Sequence, residues 1–188
     1  MSGLSPELEA RARDIELLVL DVDGVLTDGG LYYGAEGEQL KRFDVKDGHG
    51  LVLAHLVGLR VAILTGRRSA IVEKRAAELW IDPVLQGQRD KRTGLAQLLA
   101  QAKVPAERTA FAGDDLNDLP AMSQVRLAAC PADAVGEVRE RCHYVAQAPG
   151  GRGAVREILE TILKAQGKWA DAVVKMGQLP PKAGAITS

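Results

Sequence analysis

The stretch Leu17-Leu18-Val19-Leu20-Asp21-Val22-Asp23-Gly24-Val25 decides the fold. Four consecutive apolar residues without alternation read as a short strand buried on both faces, the pattern of a parallel sheet covered by helices. A carboxylate inside such a sheet is costly to desolvate, so Asp21 and Asp23 must stand where the strand emerges. In open α/β sheets that carboxyl end is where ligands bind. Two positions apart, the acids would share a face if the strand continued. Paired anionic oxygens suit a hard divalent cation such as Mg2+; alternatively, one carboxylate can attack a phosphoryl group and carry it as an aspartyl-phosphate. Gly24 lets the chain turn beside them. The plain alternative is a strand-ending turn, since Asp and Gly favour turns generally.

Working outward, strand-like runs recur at 60–64, 83–85, 109–112 and 125–128. Helix-like stretches fall between them at about 47–57, 69–79, 91–102, 116–124 and 133–141, and a last helix runs from 154 through 166 towards 176. Residues 1–13 are polar and helix-like, with Pro6 and Glu7 suited to a first turn. Ser69 and Asp90 read as helix caps. This alternation predicts an α/β fold, a Rossmann-like doubly wound parallel sheet with helices on both faces. Residues 30–43 break the pattern and read as an inserted β-hairpin around a Gly-rich turn. Tyr32, Tyr33 and Phe43 gather there, in a chain with two Trp, three Tyr and two Phe in all. They either staple the hairpin to its own domain or form a subunit interface. Residues 1–176 are expected to form one domain, and 177–188, with two prolines, a flexible coil.

At 188 residues, 46% hydrophobic and 26% charged, the chain has the size and balance of an ordinary globular domain with a proper core. A net charge of -1 gives no nucleic-acid footprint. Cys130 and Cys142 are too few for a disulfide scaffold and fit reduced thiols. No apolar stretch approaches the roughly 20 residues a membrane span needs. A cytoplasmic enzyme is the default expectation.

Three further polar groups stand where strands should end. Thr65-Gly66-Arg67 follows the run 60–64, where a hydroxyl, turn amides and the positive end of the next helix can hold a phosphate oxygen; a capping turn is the alternative. Lys91 stands at an expected helix start, a position the dipole slightly disfavours, although surface lysines are common. Gly113-Asp114-Asp115-Leu116-Asn117-Asp118 places three acids and an amide within five positions, which would repel one another without a cation. A capping turn accounts for one of them, not readily for all.

Acid pair, hydroxyl, lysine and acid cluster, in that chain order, resemble the motifs of the haloacid dehalogenase (HAD) superfamily over roughly residues 15–165. The resemblance implies Asp21 as nucleophile and Asp23 as the acid and base that serves the leaving alcohol and then water. It implies Mg2+ as cofactor, held by the Asp21 carboxylate, the Asp23 main-chain carbonyl and Asp114, with Asp115 and Asp118 completing or orienting the shell. Thr65 and Lys91 would bind phosphoryl oxygens. Phosphoryl transfer asks mainly for such positioning and charge stabilisation.

Most such phosphatases carry a sizeable cap domain. Here the segments 23–65 and 65–91 are too short for one, so no cap domain is expected. The small, hairpin-bearing pattern is similar to the 3-deoxy-D-manno-octulosonate 8-phosphate phosphatase family. The matches lie in 21–29, in Phe43-Asp44-Val45-Lys46-Asp47-Gly48-His49-Gly50, and in Gly150-Gly151-Arg152-Gly153-Ala154-Val155-Arg156-Glu157. That resemblance implies a sugar-acid phosphate substrate, lipopolysaccharide biosynthesis, and a homotetramer whose neighbouring subunits cap each site. A nine-carbon sialic-type acid phosphate, a phosphomutase reaction and a non-catalytic partner with this fold are the alternatives. Arg67 is the first candidate for the substrate carboxylate, followed by Arg152; Arg156 fits an exposed helical position. Asp47 and Gly48 line the site or, equally well, Asp47 simply caps a helix. His49, His55 and His143 show no metal spacing.

Overall fold

The computed structural model describes residues 4–178. In chain order the elements are α1 (Pro6–Ala12), β1 (Leu17–Leu20), β2 (Tyr32–Gly34), β3 (Gly37–Leu40), α2 (Val45–Leu56), β4 (Arg60–Leu64), α3 (Ala70–Glu78), β5 (Val84–Leu85), α4 (Lys91–Ala102), β6 (Thr109–Ala112), α5 (Leu119–Met122), β7 (Leu127–Cys130), α6 (Gly136–Arg139), β8 (Tyr144–Val145), α7 (Ala154–Ala165) and α8 (Trp169–Gly177). Six strands form one parallel sheet in the order β5-β4-β1-β6-β7-β8.

β1 lies in the middle, and all four of its residues are buried. Its side chains alternate between two cores, as strand geometry dictates. Leu18 and Leu20 join the core built with α2, α3 and α7. Leu17 and Val19 join the core built with α4, α5 and α6. From β1 the chain moves outward through β4 to β5, then crosses back to β6 on the other side of β1. This reversal makes β1 the switch point of the sheet, where the strand ends open a crevice for ligands.

Several expected elements differ in extent, each for a local reason. The helix from 154 breaks at Gly167, which adopts φ +68 and separates α7 from α8. The helices expected at 116–124 and 133–141 shrink to short turns because their first residues are spent on the loops beyond β6 and β7. β8, two residues long, carries no sequence signal of its own. α2 is capped by Asp44, which accepts the Lys46 N–H, and not by Asp47. Asp90 caps α4 as expected, accepting from the N–H groups of Arg92 and Thr93. Ser69 stands at the start of α3, but its hydroxyl is used elsewhere, donating to Glu38.

The hairpin β2–β3 pairs separately from the main sheet. A bridge between Thr27 and Phe43 closes its base. Phe43 packs on the core, whereas Leu31, Tyr32, Tyr33 and Leu40 are exposed. Residues 179–188, most of the expected tail, lie outside the described residues, and Gly177 closes α8. Among the described residues no helix is long and apolar enough to cross a membrane.

Candidate active site

Asp21 follows β1 directly, its N–H still donating to the Ala112 carbonyl of β6. One carboxylate oxygen accepts the Val22 N–H at 2.7 Å, and the other lies 3.0 Å from the Lys91 ammonium. Lys91 opens α4, and its side chain is 0% exposed, so it reaches the sheet from behind. There it also donates to the Leu64 carbonyl at the end of β4 (2.9 Å) and to Asp118 (2.8 Å). One ammonium thereby ties together the ends of β1, β4 and the loop after β6.

Asp118 is equally buried and fully committed. One oxygen accepts from Lys91, and the other accepts the N–H groups of Asp114 and Asp115. Asp115 caps the single turn Leu116–Asp118, accepting the Leu116 N–H. Of the three acids in this loop, Asp118 orients, Asp115 caps, and Asp114 stays available.

Oxygens of Asp21, Asp114 and Asp118 lie within 4.8 Å of one another. Burial, then the charges of Asp118, Asp21 and Asp115, push Asp114 up to about 8. Burial and Asp118 raise Asp21 to about 6, with Lys91 pulling the other way. Burial opposes the Lys91 charge, yet Asp21 and Asp118 hold its pKa above the ordinary lysine value. Carboxylates this crowded are uncomfortable as anions, and a hard divalent cation relieves them. Asp114 fits such an ion through a carboxylate free of Lys91 and of backbone N–H groups, and Asp21 through the remaining lone pairs of oxygens that already face Lys91 and the Val22 N–H.

Asp23 does not share the Asp21 face. The strand ends at Leu20, the chain turns at Gly24 (φ +88), and the Asp23 side chain points to the hairpin. One of its oxygens pairs with Lys41, and the other lies 3.7 Å from Arg67. Arg67 is half-exposed, donates to the Tyr33 hydroxyl and lies over the Tyr33 ring, 5.8 Å from its centroid. Thr65 is buried at the end of β4, its N–H donating to Leu85 and its carbonyl accepting from Gln88.

Asp47 is buried, and its carboxylate accepts the N–H groups of Gly153 and Arg156 at the start of α7. It caps a helix, but α7 and not its own. Gly48 packs against Arg75, where a methyl group would crowd the guanidinium. Arg152 is exposed, 4.0 Å from Asp28. Arg156 pairs with Glu160 and stacks over Trp169 of α8, away from Asp21. His49 is exposed, His55 lies against Trp80, and His143 accepts the Ala128 N–H.

Two parts of the site could not be placed from the sequence. Lys41 and Glu38 sit in a hairpin whose strand pattern says nothing about reaching Asp23. Gly150 and Gly151 pack onto the turn that follows Asp21. A side chain at Gly150 would overlap the Gly24 carbonyl, and the Gly151 N–H donates to Val25. The glycine pair is visible in sequence; its target is not.

A carboxylate meets an anionic phosphoryl group only if cations stand beside it, and this crevice supplies Lys91 and a seat for a metal. That is the arrangement of haloacid dehalogenase-like hydrolases, and the family model of that description matches residues 74–158. Similarity to individual proteins covers more of the chain. The 3-deoxy-D-manno-octulosonate 8-phosphate phosphatase KdsC of Escherichia coli (strain B / BL21-DE3) is 45% identical over 169 residues, 90% of each chain. The crystal structure of the phosphatase of the same name from Yersinia pestis matches with a TM-score of 0.86 at 44% identity, covering 89% of this chain and 90% of that one. The Moraxella catarrhalis phosphatase, in complex with magnesium ion, phosphate ion and a KDO molecule, matches at 0.88 and 38% identity, covering 92% and 99%. The chain belongs to the 3-deoxy-D-manno-octulosonate 8-phosphate phosphatase family.

Proposed function

We infer that the chain is a Mg2+-dependent phosphatase hydrolysing 3-deoxy-D-manno-octulosonate 8-phosphate to the free sugar acid and phosphate, a step of lipopolysaccharide biosynthesis. The observation that carries this reading is the buried Lys91 joining Asp21 to Asp118 beside Asp114. Asp21 attacks phosphorus in line, and the bond to the sugar oxygen breaks as Asp23 gives that oxygen a proton. Asp23 then takes a proton from the water that hydrolyses the aspartyl-phosphate. Lys91 and Thr65 hold phosphoryl oxygens. The metal, held by Asp21, Asp114 and the Asp23 main-chain carbonyl, supplies positive charge against the phosphoryl group.

Arg67 faces the same crevice and is our candidate for the substrate carboxylate, with Arg152 further out. Asp47 and Gly48 support the site through α7 and Arg75. Exposed Leu31, Tyr32 and Leu40 on the hairpin suit burial between subunits, and we propose a homotetramer whose neighbours cover the crevice. The free thiols Cys130 and Cys142 fit a reducing compartment, and the cytoplasm is the location we propose.

The test is phosphate release from a panel of sugar phosphates with Mg2+, scoring the eight-carbon against the nine-carbon sugar acid. Asp21→Asn is expected to abolish turnover while keeping the fold. Full activity in that variant would sink the mechanism, preference for the nine-carbon acid would move the substrate, and silence across the panel would point to a non-catalytic partner.

A further inference from the structure

Asp23 is held from the hairpin side of the site, by Lys41. We propose that Lys41, carried in by the hairpin, is the positioning residue that aims Asp23 at the leaving group. This rests on the assignment of Asp23 as acid and base.

The Lys41 side chain is only 1% exposed, although it carries a charge. A buried ammonium persists where it is paired, and Lys41 has two partners. Its Nζ pairs with Asp23 Oδ1, and lies 2.9 Å from Glu38 Oε1. Glu38 is held in turn, its other oxygen accepting the Ser69 hydroxyl at 2.5 Å. Ser69 is anchored by Gln86, which accepts the Ser69 N–H and donates to the Ser69 carbonyl. The chain of contacts runs from the hairpin to the start of α3 and ends on Asp23.

Three consequences follow. Lys41 spends its ammonium on Asp23 and Glu38, so it acts through Asp23. With Oδ1 engaged, the proton for the leaving group belongs on Oδ2, the oxygen on the Arg67 side. As Asp21 bonds to phosphorus, the electron pair of the breaking P–O bond stays with the sugar oxygen, which takes that proton. Misaiming a group by about 1 Å is enough to cost roughly 100-fold in rate.

The experiment compares leaving groups. An alkyl phosphate needs the acid, whereas p-nitrophenyl phosphate releases a stable phenolate without it. In Lys41→Met, kcat for the sugar-acid phosphate is expected to fall about 100-fold relative to the p-nitrophenolate burst rate, with KM changed less than about threefold. Lys41→Arg should recover part of the loss. Because Lys41→Met strands the Glu38 charge, the double variant Lys41→Met with Glu38→Gln is measured beside it, and it should show the same leaving-group dependence. Asp23→Asn is the control on the underlying assignment. If Asp23→Asn keeps alkyl turnover, that assignment fails. If Asp23→Asn loses it while both Lys41 variants keep it, the role of Lys41 is overturned. An equal loss on both substrates, or a rise in KM alone, overturns it too.

Discussion

Replacing Asp114 by Asn should stabilise the metal-free protein and cancel its stabilisation by Mg2+. Asp114 titrates near 3.8 in an unfolded chain and at about 8 here, because of burial and the charges of Asp118, Asp21 and Asp115. Between those values the native chain holds a proton that the unfolded chain has released. Stability is therefore fullest below the unfolded pKa and drains as pH rises towards the folded one. At pH 7 the difference is about 3 pH units, or at most about 4 kcal/mol at 1.36 kcal/mol per unit. Residual solvent contact and the shared charge of Asp21 and Asp118 bring this to about 2 kcal/mol. An amide cannot ionise and keeps the shape, so Asp114→Asn in EDTA at pH 7 is expected to melt roughly 4–8 °C above the native chain. In excess Mg2+ the order should invert, since the native chain gains about 2.7 kcal/mol at 100-fold excess over Kd and the variant lacks a ligand. Calorimetry with and without the metal, from about pH 5 to about pH 8, reads both effects, and the metal-free slope with pH should flatten in the variant. A variant that melts at or below the native temperature in EDTA, or that keeps the full Mg2+ shift, would refute this electrostatic account.

Asp47→Ala removes the acceptor for two N–H groups of α7 and should cost about 2–3 kcal/mol in urea unfolding. Unchanged stability with a raised KM would instead make Asp47 a substrate contact. Gly150→Ala pushes a methyl into the Gly24 carbonyl and should lower kcat by about 100-fold or more by shifting the Asp21 turn; normal kinetics would contradict that packing. Leu31→Glu with Leu40→Glu places charge on the exposed hairpin face and should convert the proposed tetramer to smaller species in light scattering, with KM raised if neighbours cover the site.

The parallel sheet was legible because its strands are unbroken apolar runs, and 17–20, 60–64 and 109–112 are reproduced to the residue. The two-residue β8 leaves no such run to read, whereas the equally short β5 falls within the run 83–85. Asp21, Thr65 and Asp114 were legible as chemistry out of place, polar groups at the ends of buried strands, and Lys91 as a cation at a helix start, where the dipole disfavours it. Their division of labour was not. Asp114, Asp115 and Asp118 look alike in sequence, and only the direction of Lys91 and of the loop N–H groups separates them. Asp21 and Asp23 were expected on one face from strand periodicity, which fails because β1 ends before either of them.

The two aspartates are thus held by different parts of the molecule. Lys91 reaches Asp21 from α4 and ties it to the end of β4 and to the loop after β6, so the proposed nucleophile is built into the same core that makes the sheet. Lys41 reaches Asp23 from an insertion with exposed apolar residues and only two short strands. An isolated hairpin is marginally stable, so whatever seats this one also governs Asp23. Contacts between subunits through Leu31, Tyr32 and Leu40 would then do more than shield the crevice from water. They would fix Lys41, and through it the acid that the leaving sugar requires. Loss of assembly should accordingly slow alkyl phosphates more than aryl phosphates, a dependence that simple exposure of the site to water would not produce.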